Sequence, residues 1–325
     1  MPRKLINQLS QQEAVDEVFV ASGKQLRPNR NGNLYLQVEL SDRTGSIGAR
    51  LWNADEAIYQ SFHDGDYVRV QGNTQLFQGA VQMIARRIEP VPREEVDPAD
   101  FEPEPAVDAG RLLGRLKELV RGIGDPHLKT LAECFLLDEE FLGRFTLAPA
   151  GTKHHHAYHG GLLEHTVSMM EAAERIAPCY PQLDRDLLIV GAMLHDVGKT
   201  RELGFQGGLE YTDEGQLVGH LVLAVEMLNA KVAEAERLAG EPIPADTVLK
   251  LKHMLLSHHG EYEYGSPKVP MTLEALALHC LDLLDSKINA FELILKADPN
   301  VDSAWTVYQP GLGRKLYKGA ARGRP

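Results

Sequence analysis

Cysteine is scarce in this chain. Cys134, Cys179 and Cys280 are scattered over 325 residues, which excludes a disulfide framework and a CxxC metal knuckle and leaves core thiols as their reading. Long apolar runs are missing as well. The opening "MPRKLINQLSQQEAVDEV" has no apolar h-region, and no later stretch supplies the ~18 uninterrupted apolar residues of a membrane span, so a cytoplasmic protein with no membrane partner is expected. No internal repeat is visible. Positive charge is in deficit, with a net charge of -12 that ordinarily argues against nucleic acid. What remains is ample: 325 residues at 43% hydrophobic content suffice for two domains with cores of their own.

The charge is unevenly spread. Residues 1 to 90 balance at 10 basic and 10 acidic, residues 91 to 110 hold 1 against 7, and residues 111 to 310 hold 18 against 29. The last fifteen residues, "GLGRKLYKGAARGRP", carry five basic residues and no acid. They read as a solvated, frayed tail, with a local anionic contact as the rival. The segment "VPREEVDPADFEPEPAVDAG" has no apolar period, and its prolines and acids predict an extended linker.

The first 90 residues alternate at period two. Leu34, Leu36, Val38 and Leu40 share one face, as do Ile47, Ala49 and Leu51, and Val68 and Val70. The opposite face carries Tyr35, Gln37, Arg50, Trp52, Tyr67 and Arg69, where a solvated sheet would hold Thr, Lys or Glu. With "NADEAIYQSF" as a short helix, the order strand, strand, strand, helix, strand, strand is that of a five-stranded OB barrel. Tyr35 and Trp52 would stack bases, and Arg50 and Arg69 would pair phosphates of a single strand. A structural or protein-binding barrel is the alternative.

From residue 111 apolar residues recur at spacings of three and four, predicting an all-α domain. Polar residues fall at particular points of these helices. His165 lies early in one, His195 and Asp196 close the next in "LLIVGAMLHDVGKTREL", His220 opens a third, His258 and His259 end a fourth, and Asp282 lies within a fifth. A lone buried histidine is commonly a satisfied core residue. Five helices each bringing imidazole or carboxylate would cost several kcal/mol if unpartnered, and divalent metal removes that cost. The mixed imidazole and carboxylate set suits Mn, Fe, Zn, Ni, Co or Mg and not a thiolate zinc site.

The order His165, His195 with Asp196, then Asp282 resembles the signature of the HD superfamily of metal-dependent phosphohydrolases. Together with His220, His258 and His259, the blocks "GGLLEHTVSMM", "LHDVGKTREL", "EGQLVGH", "LSHHGEYEYGSPKVP" and "LHCLDLLDSKIN" behind an OB barrel resemble the YhaM-type 3′→5′ exoribonucleases. The resemblance implies hydrolysis of single-stranded RNA, with single-stranded DNA a further substrate, to nucleoside monophosphates. It implies two divalent ions, Mn first among them. His165, His195, Asp196 and Asp282 would hold one ion; His220, His258 and His259 the other, with Asp196 bridging. Lys199 would neutralise phosphoryl charge, Tyr264 and Lys268 would touch substrate, and Asp285 would support Asp282 or Lys287. His63, His127, His253 and His279 read as surface or core. "KHHHAYH", Lys153 to His159, holds more histidine than the family pattern, and Tyr264 stands where that pattern has tryptophan.

The expected layout is a barrel over 1–90, a linker over 91–110, an HD-type helical domain over 111–310 and a tail over 311–325. Two rival functions stay open at this point: hydrolysis of a small nucleotide or cyclic dinucleotide, and non-catalytic single-strand binding. A homo-oligomer is equally open.

Overall fold

The computed structural model describes residues 3–29, 31–77, 80–97, 100–101, 108–151, 159–204, 210–298, 300 and 303–319. Strands β1 (Ala14–Pro28), β2 (Leu34–Asp42), β3 (Gly45–Trp52), β4 (Tyr67–Phe77) and β5 (Ala80–Pro90) close into a barrel in the order β1-β2-β3-β5-β4. The parallel pairing of β3 with β5, from Ala49 with Met83 to Leu51 with Ala85, completes the closure. Period-two alternation puts Leu36, Val38, Leu40, Ile47, Ala49, Leu51, Val68 and Val70 inside. Leu34 departs from that expectation: as the first residue of β2 it is 40% exposed. Helix α1 (Glu56–Gln60) links β3 to β4, and its Asp55 cap accepts the Ile58 N–H at 2.9 Å. The register sets Tyr35 opposite Trp52 and Gln37 opposite Arg50 on the outer surface.

The acidic segment after β5 is not the extended linker that its composition predicts, at least over its first part. Phe101 is buried, its ring 4.7 Å from that of Tyr67, and the Arg3 guanidinium sits 4.0 Å above it while pairing with Asp100. One aromatic residue outweighs the surrounding charge, because burying a phenyl ring is worth about 1.5–3 kcal/mol. Residues 98–99 and 102–107 of the segment lie outside the described residues.

The chain divides into two compact units, Met1–Glu104 with Ile294–Pro325, and Pro105–Leu293. The expected boundary at residue 310 therefore falls too late, since the segment after the last helix belongs with the barrel's unit. That segment is also no frayed tail through residue 319. Trp305 bridges Tyr317 and Gln309 bridges Arg314 in an antiparallel hairpin. Buried Thr306 donates its N–H to Leu316 O and accepts the Leu316 N–H on its hydroxyl, and Asp298 accepts the Val307 N–H and the Lys318 ammonium. Residues 320–325 lie outside the described residues.

The second unit is helical: α2 (Ala109–Arg121), α3 (Pro126–Leu136), α4 (Glu139–Leu147), α5 (Gly161–Ile176), α6 (Arg185–Leu194), α7 (Lys199–Glu202), α8 (Asp213–Leu217), α9 (His220–Ala239), α10 (Ala245–Ser257) and most of α11 (Leu273–Ala297), with a two-residue ladder of β6 (Leu203–Gly204) and β7 (Glu210–Tyr211). Asp108, Asp125, Asp138 and Asp184 cap α2, α3, α4 and α6, each accepting a backbone N–H three residues on. Helix α6 is buried on every side from Leu187 to Leu194, which makes it the central rod of the unit. Among the described residues, no helix is long and apolar enough to cross a membrane.

Candidate metal centre

The rod ends on the site. His195 is the C-cap of α6 and Asp196 follows it; His220 is the first residue of α9, His258 is the C-cap of α10 with His259 behind it, and His165 and Asp282 project from within α5 and α11. His165, His195, Asp196 and His258 are buried, each at 3% exposure or less. All seven expected ligands therefore converge.

Each imidazole is held from behind. Nδ1 of His165 meets Asp285 Oδ2 at 2.8 Å, that of His195 meets Ala192 O at 2.8 Å, and that of His220 meets Glu202 Oε1 at 3.0 Å. Nδ1 of His258 meets Leu255 O at 2.9 Å and that of His259 meets Tyr264 O at 3.0 Å. Every one of these partners is an acceptor, so Nδ1 donates and, in the neutral ring, a bare Nε2 lone pair is left facing the centre. There the lone pairs crowd one another: Nε2 of His165 and His195 are 3.1 Å apart, and Nε2 of His220 and His259 are 3.3 Å apart.

Asp196 divides between two groups. Its Oδ2 lies 3.5 Å from His195 Nε2 and 3.8 Å from His165 Nε2, while its Oδ1 lies 3.6 Å from Nε2 of both His220 and His258. Asp282 Oδ1 joins the first group at 3.4 Å from His165 Nε2. The ligand atoms of His165, His195 and Asp282, and separately those of His220, His258 and His259, lie within 4.8 Å of one another. Asp196 Oδ1 and His258 Nε2 are buried without a hydrogen bond. Buried acceptors facing acceptors are costly unless a cation lies between them, so the donor set fits divalent metal.

The electrostatics agree for the two carboxylates and for three of the imidazoles, and differ at His165. Burial works to lower the His165 pKa, but hydrogen bonds to Asp282 and Asp285 outweigh it and push the imidazole up to about 9. Burial brings His258 down to about 4 and also lowers His195 and His259. For Asp196, burial is outweighed by Lys199 and the surrounding imidazoles, which hold the carboxyl well below its usual range; His165 and its neighbours do the same for Asp282. Anionic carboxylates and neutral imidazoles are the ligand forms that metal requires, so metal binding at His165 must displace the proton that Asp282 and Asp285 hold there.

Lys199 lies in the site. Its ammonium donates to Asp196 Oδ2 at 2.6 Å and to Ala150 O at 2.7 Å. Gly198 before it is required by close packing, since a Cβ there would stand 2.1 Å from His220 O. Gly260, at φ +82°, leaves room for the His279 ring, whose Nδ1 holds His258 O at 2.7 Å. The bland reading of His279 therefore needs amending, because it fixes the backbone of a ligand. Asp285, expected to support Asp282 or Lys287, holds Nδ1 of His165 and accepts from Ser168 and Asn289. Glu202 escaped sequence reasoning; it is nearly buried and accepts from both the N–H and Nδ1 of His220. A carboxylate six residues after Asp196, directly before the apolar Leu203, was the available signal. Tyr264 is 67% exposed, and its part in the site is the carbonyl that holds His259. Lys268 is exposed, and its carbonyl accepts from Ser266. His154, His155 and His156 lie outside the described residues.

On the barrel, the rings of Tyr35 and Trp52 are 5.1 Å apart and Trp52 is 44% exposed. Arg50 stacks 4.9 Å from the centroid of Phe77, an aromatic that the alternation did not single out because it sits at the tip of β4. Arg69 is not brought to this group. It opposes Val18 and Glu89 in the ladders and pairs with Asp16 at 2.6 Å. Tyr67 packs on Phe101 and so does not join the open face either.

The HD domain family matches residues 162–287, and the OB-fold nucleic acid binding domain family matches residues 19–91. The 3'-5' exoribonuclease YhaM of Bacillus subtilis (strain 168) is 34% identical over 285 residues, 87% of this chain and 88% of that protein. The chain belongs to the YhaM 3'-5' exoribonuclease family. The YhaM proteins of Bacillus licheniformis, 36% identical, and Listeria innocua, 34% identical, each align over 267 residues, 82% of this chain. The family alignment thus extends beyond either domain match alone.

Proposed function

We propose that this chain hydrolyses single-stranded RNA from the 3′ end to nucleoside monophosphates, with single-stranded DNA a second substrate, using two divalent ions, Mn foremost. The observation that carries the reading is Asp196, whose Oδ2 faces His195 and His165 and whose Oδ1 faces His220 and His258. Bound metal supplies Lewis acidity, lowering the pKa of water and offsetting charge on the phosphoryl oxygens. His165, His195 and Asp282 would hold one ion, His220, His258 and His259 the other, and Asp196 both. Asp285 and Glu202 keep His165 and His220 in the ligating tautomer. Lys199 keeps its charge, because Asp196 outweighs the effect of burial and raises its pKa. It therefore places an ammonium beside the cluster, suited to the negative charge that builds on phosphorus oxygens as the 3′ oxygen of the next nucleotide leaves. Tyr35, Trp52 and Arg50 on the barrel stack bases and pair phosphates of the incoming strand, while Arg69, already paired with Asp16, contributes less. Tyr264, whose carbonyl holds His259, and Lys268 in the same loop are both exposed and are further substrate contacts.

The test is direct. End-labelled single-stranded RNA with Mn should be shortened progressively from its 3′ end by the wild-type chain and left intact by Asp196→Ala. Intact RNA in both, with hydrolysis of a free nucleotide or cyclic dinucleotide by the wild type, would overturn the substrate assignment.

A further inference from the structure

The Trp305–Tyr317 pair repeats, in the C-terminal hairpin, the arrangement of Tyr35 and Trp52 on the barrel. The two are antiparallel bridge partners with centroids 5.0 Å apart and planes at 55°, in a segment outside both matched domains. Alternation turns the rings outward: Trp305 is 49% and Tyr317 58% exposed, while Thr306 and Leu316 between them are buried at 0% and 7%. Paired backbone and the Asp298 contacts hold this face in place, so little ordering is needed when a ligand docks.

The charge points to one kind of ligand. From Ser303 to Pro325 the sequence holds Arg314, Lys315, Lys318, Arg322 and Arg324 and no acid, in a chain of net charge -12. Lys318 is committed to Asp298, and Lys315 is exposed on the strand that carries Tyr317. Solvent-facing rings beside the chain's most basic segment match a polyanion with stackable faces. An acidic peptide would satisfy the charge and leave the rings unused.

We propose that the hairpin carrying Trp305 and Tyr317 is a second stacking site for single-stranded RNA, with bases on the two rings and phosphates on Lys315. This rests on the reading of the chain as an RNA hydrolase. The experiment exploits the two tryptophans, Trp52 and Trp305. In the full chain carrying Asp196→Asn to prevent cleavage, Trp52→Phe leaves Trp305 as sole reporter, and Trp305→Phe leaves Trp52. A twelve-nucleotide oligouridylate should quench Trp305 emission saturably, whereas polyphosphate and polyglutamate of matched charge should leave it nearly unchanged. Trp305→Ala with Tyr317→Ala should weaken binding of that oligonucleotide on the order of tenfold while melting at the parent temperature. Quenching of Trp52 with Trp305 unmoved would overturn the hairpin site and leave the nuclease reading standing. Equal quenching by polyglutamate would assign the face to an acidic protein instead. Failure of the wild-type chain to shorten RNA at all, measured separately, would remove the reading on which the proposal rests.

Discussion

The barrel and the helical unit place their polar chemistry in opposite locations. In the barrel the interior is apolar apart from Asp42 and Thr74, which find backbone partners in Ile6 and Glu13, and the groups suited to a ligand stand outside on β2, β3 and the tip of β4. In the helical unit the corresponding groups lie at the end of its most buried helix, facing one another across lone pairs. A surface site can be altered without consequence for folding. A site that terminates a core helix is coupled to stability, and bound metal acts on fold and chemistry together.

That contrast can be broken most forcefully at Asp196. Asp196→Asn should reduce RNA hydrolysis by about 10³-fold or more, because both ligand groups lose their shared carboxylate; a drop of less than tenfold in a steady-state assay would deny Asp196 its bridging place. Glu202→Gln and Asp285→Asn come next. Each should weaken metal binding by roughly 10- to 100-fold in a calorimetric titration while circular dichroism stays unchanged, and wild-type affinity in both would mean that these contacts orient nothing.

Metal removal probes the same coupling from the other side. With free metal at a hundredfold above Kd, binding adds about 2.7 kcal/mol to the stability of the native state. A chelator should therefore lower the melting transition of a fragment spanning the helical unit and leave a barrel fragment unmoved; equal shifts in the two would erase the distinction. Tyr35→Ala and Trp52→Ala should each cost about 1–3 kcal/mol in single-strand binding with no change in melting temperature, whereas a substantial loss of stability would make these rings structural. The smallest effect is expected at Asp138→Ala, which removes the cap of α4 and the Lys231 partner for about 1 kcal/mol in chemical denaturation. The Phe141 N–H and Lys231 lower the Asp138 pKa, so its contribution is present above the ordinary carboxylate range and is lost as pH falls through the lowered value. An acid titration in which Asp138→Ala shows the same pH dependence as wild type would count against it.

Legibility in the sequence also followed the comparison. The barrel's inner face was readable because alternation is local, and the seven candidate ligands because each sits at a helix end or on an apolar helix where a polar residue stands out. The supporting groups were not. Glu202 reaches His220 across eighteen residues and Asp285 reaches His165 across one hundred and twenty, so only packing pairs them. Phe101 and Leu316 lie in stretches that read as open chain, yet a buried ring orders the first and backbone pairing with Thr306 the second. Arg69 shared a face with Trp52 in the strand pattern, but β5 stands between β4 and β3 in the barrel, and Arg69 pairs with Asp16 of β1 instead.

The central claim is that Asp196 joins two metal sites. Anomalous diffraction at the manganese edge, from crystals of the full chain grown with Mn, tests it most directly. The account predicts two anomalous peaks, one against His165, His195 and Asp282 and one against His220, His258 and His259, each adjoining a different oxygen of Asp196. A single peak, or two peaks with Asp196 turned from both, would contradict it.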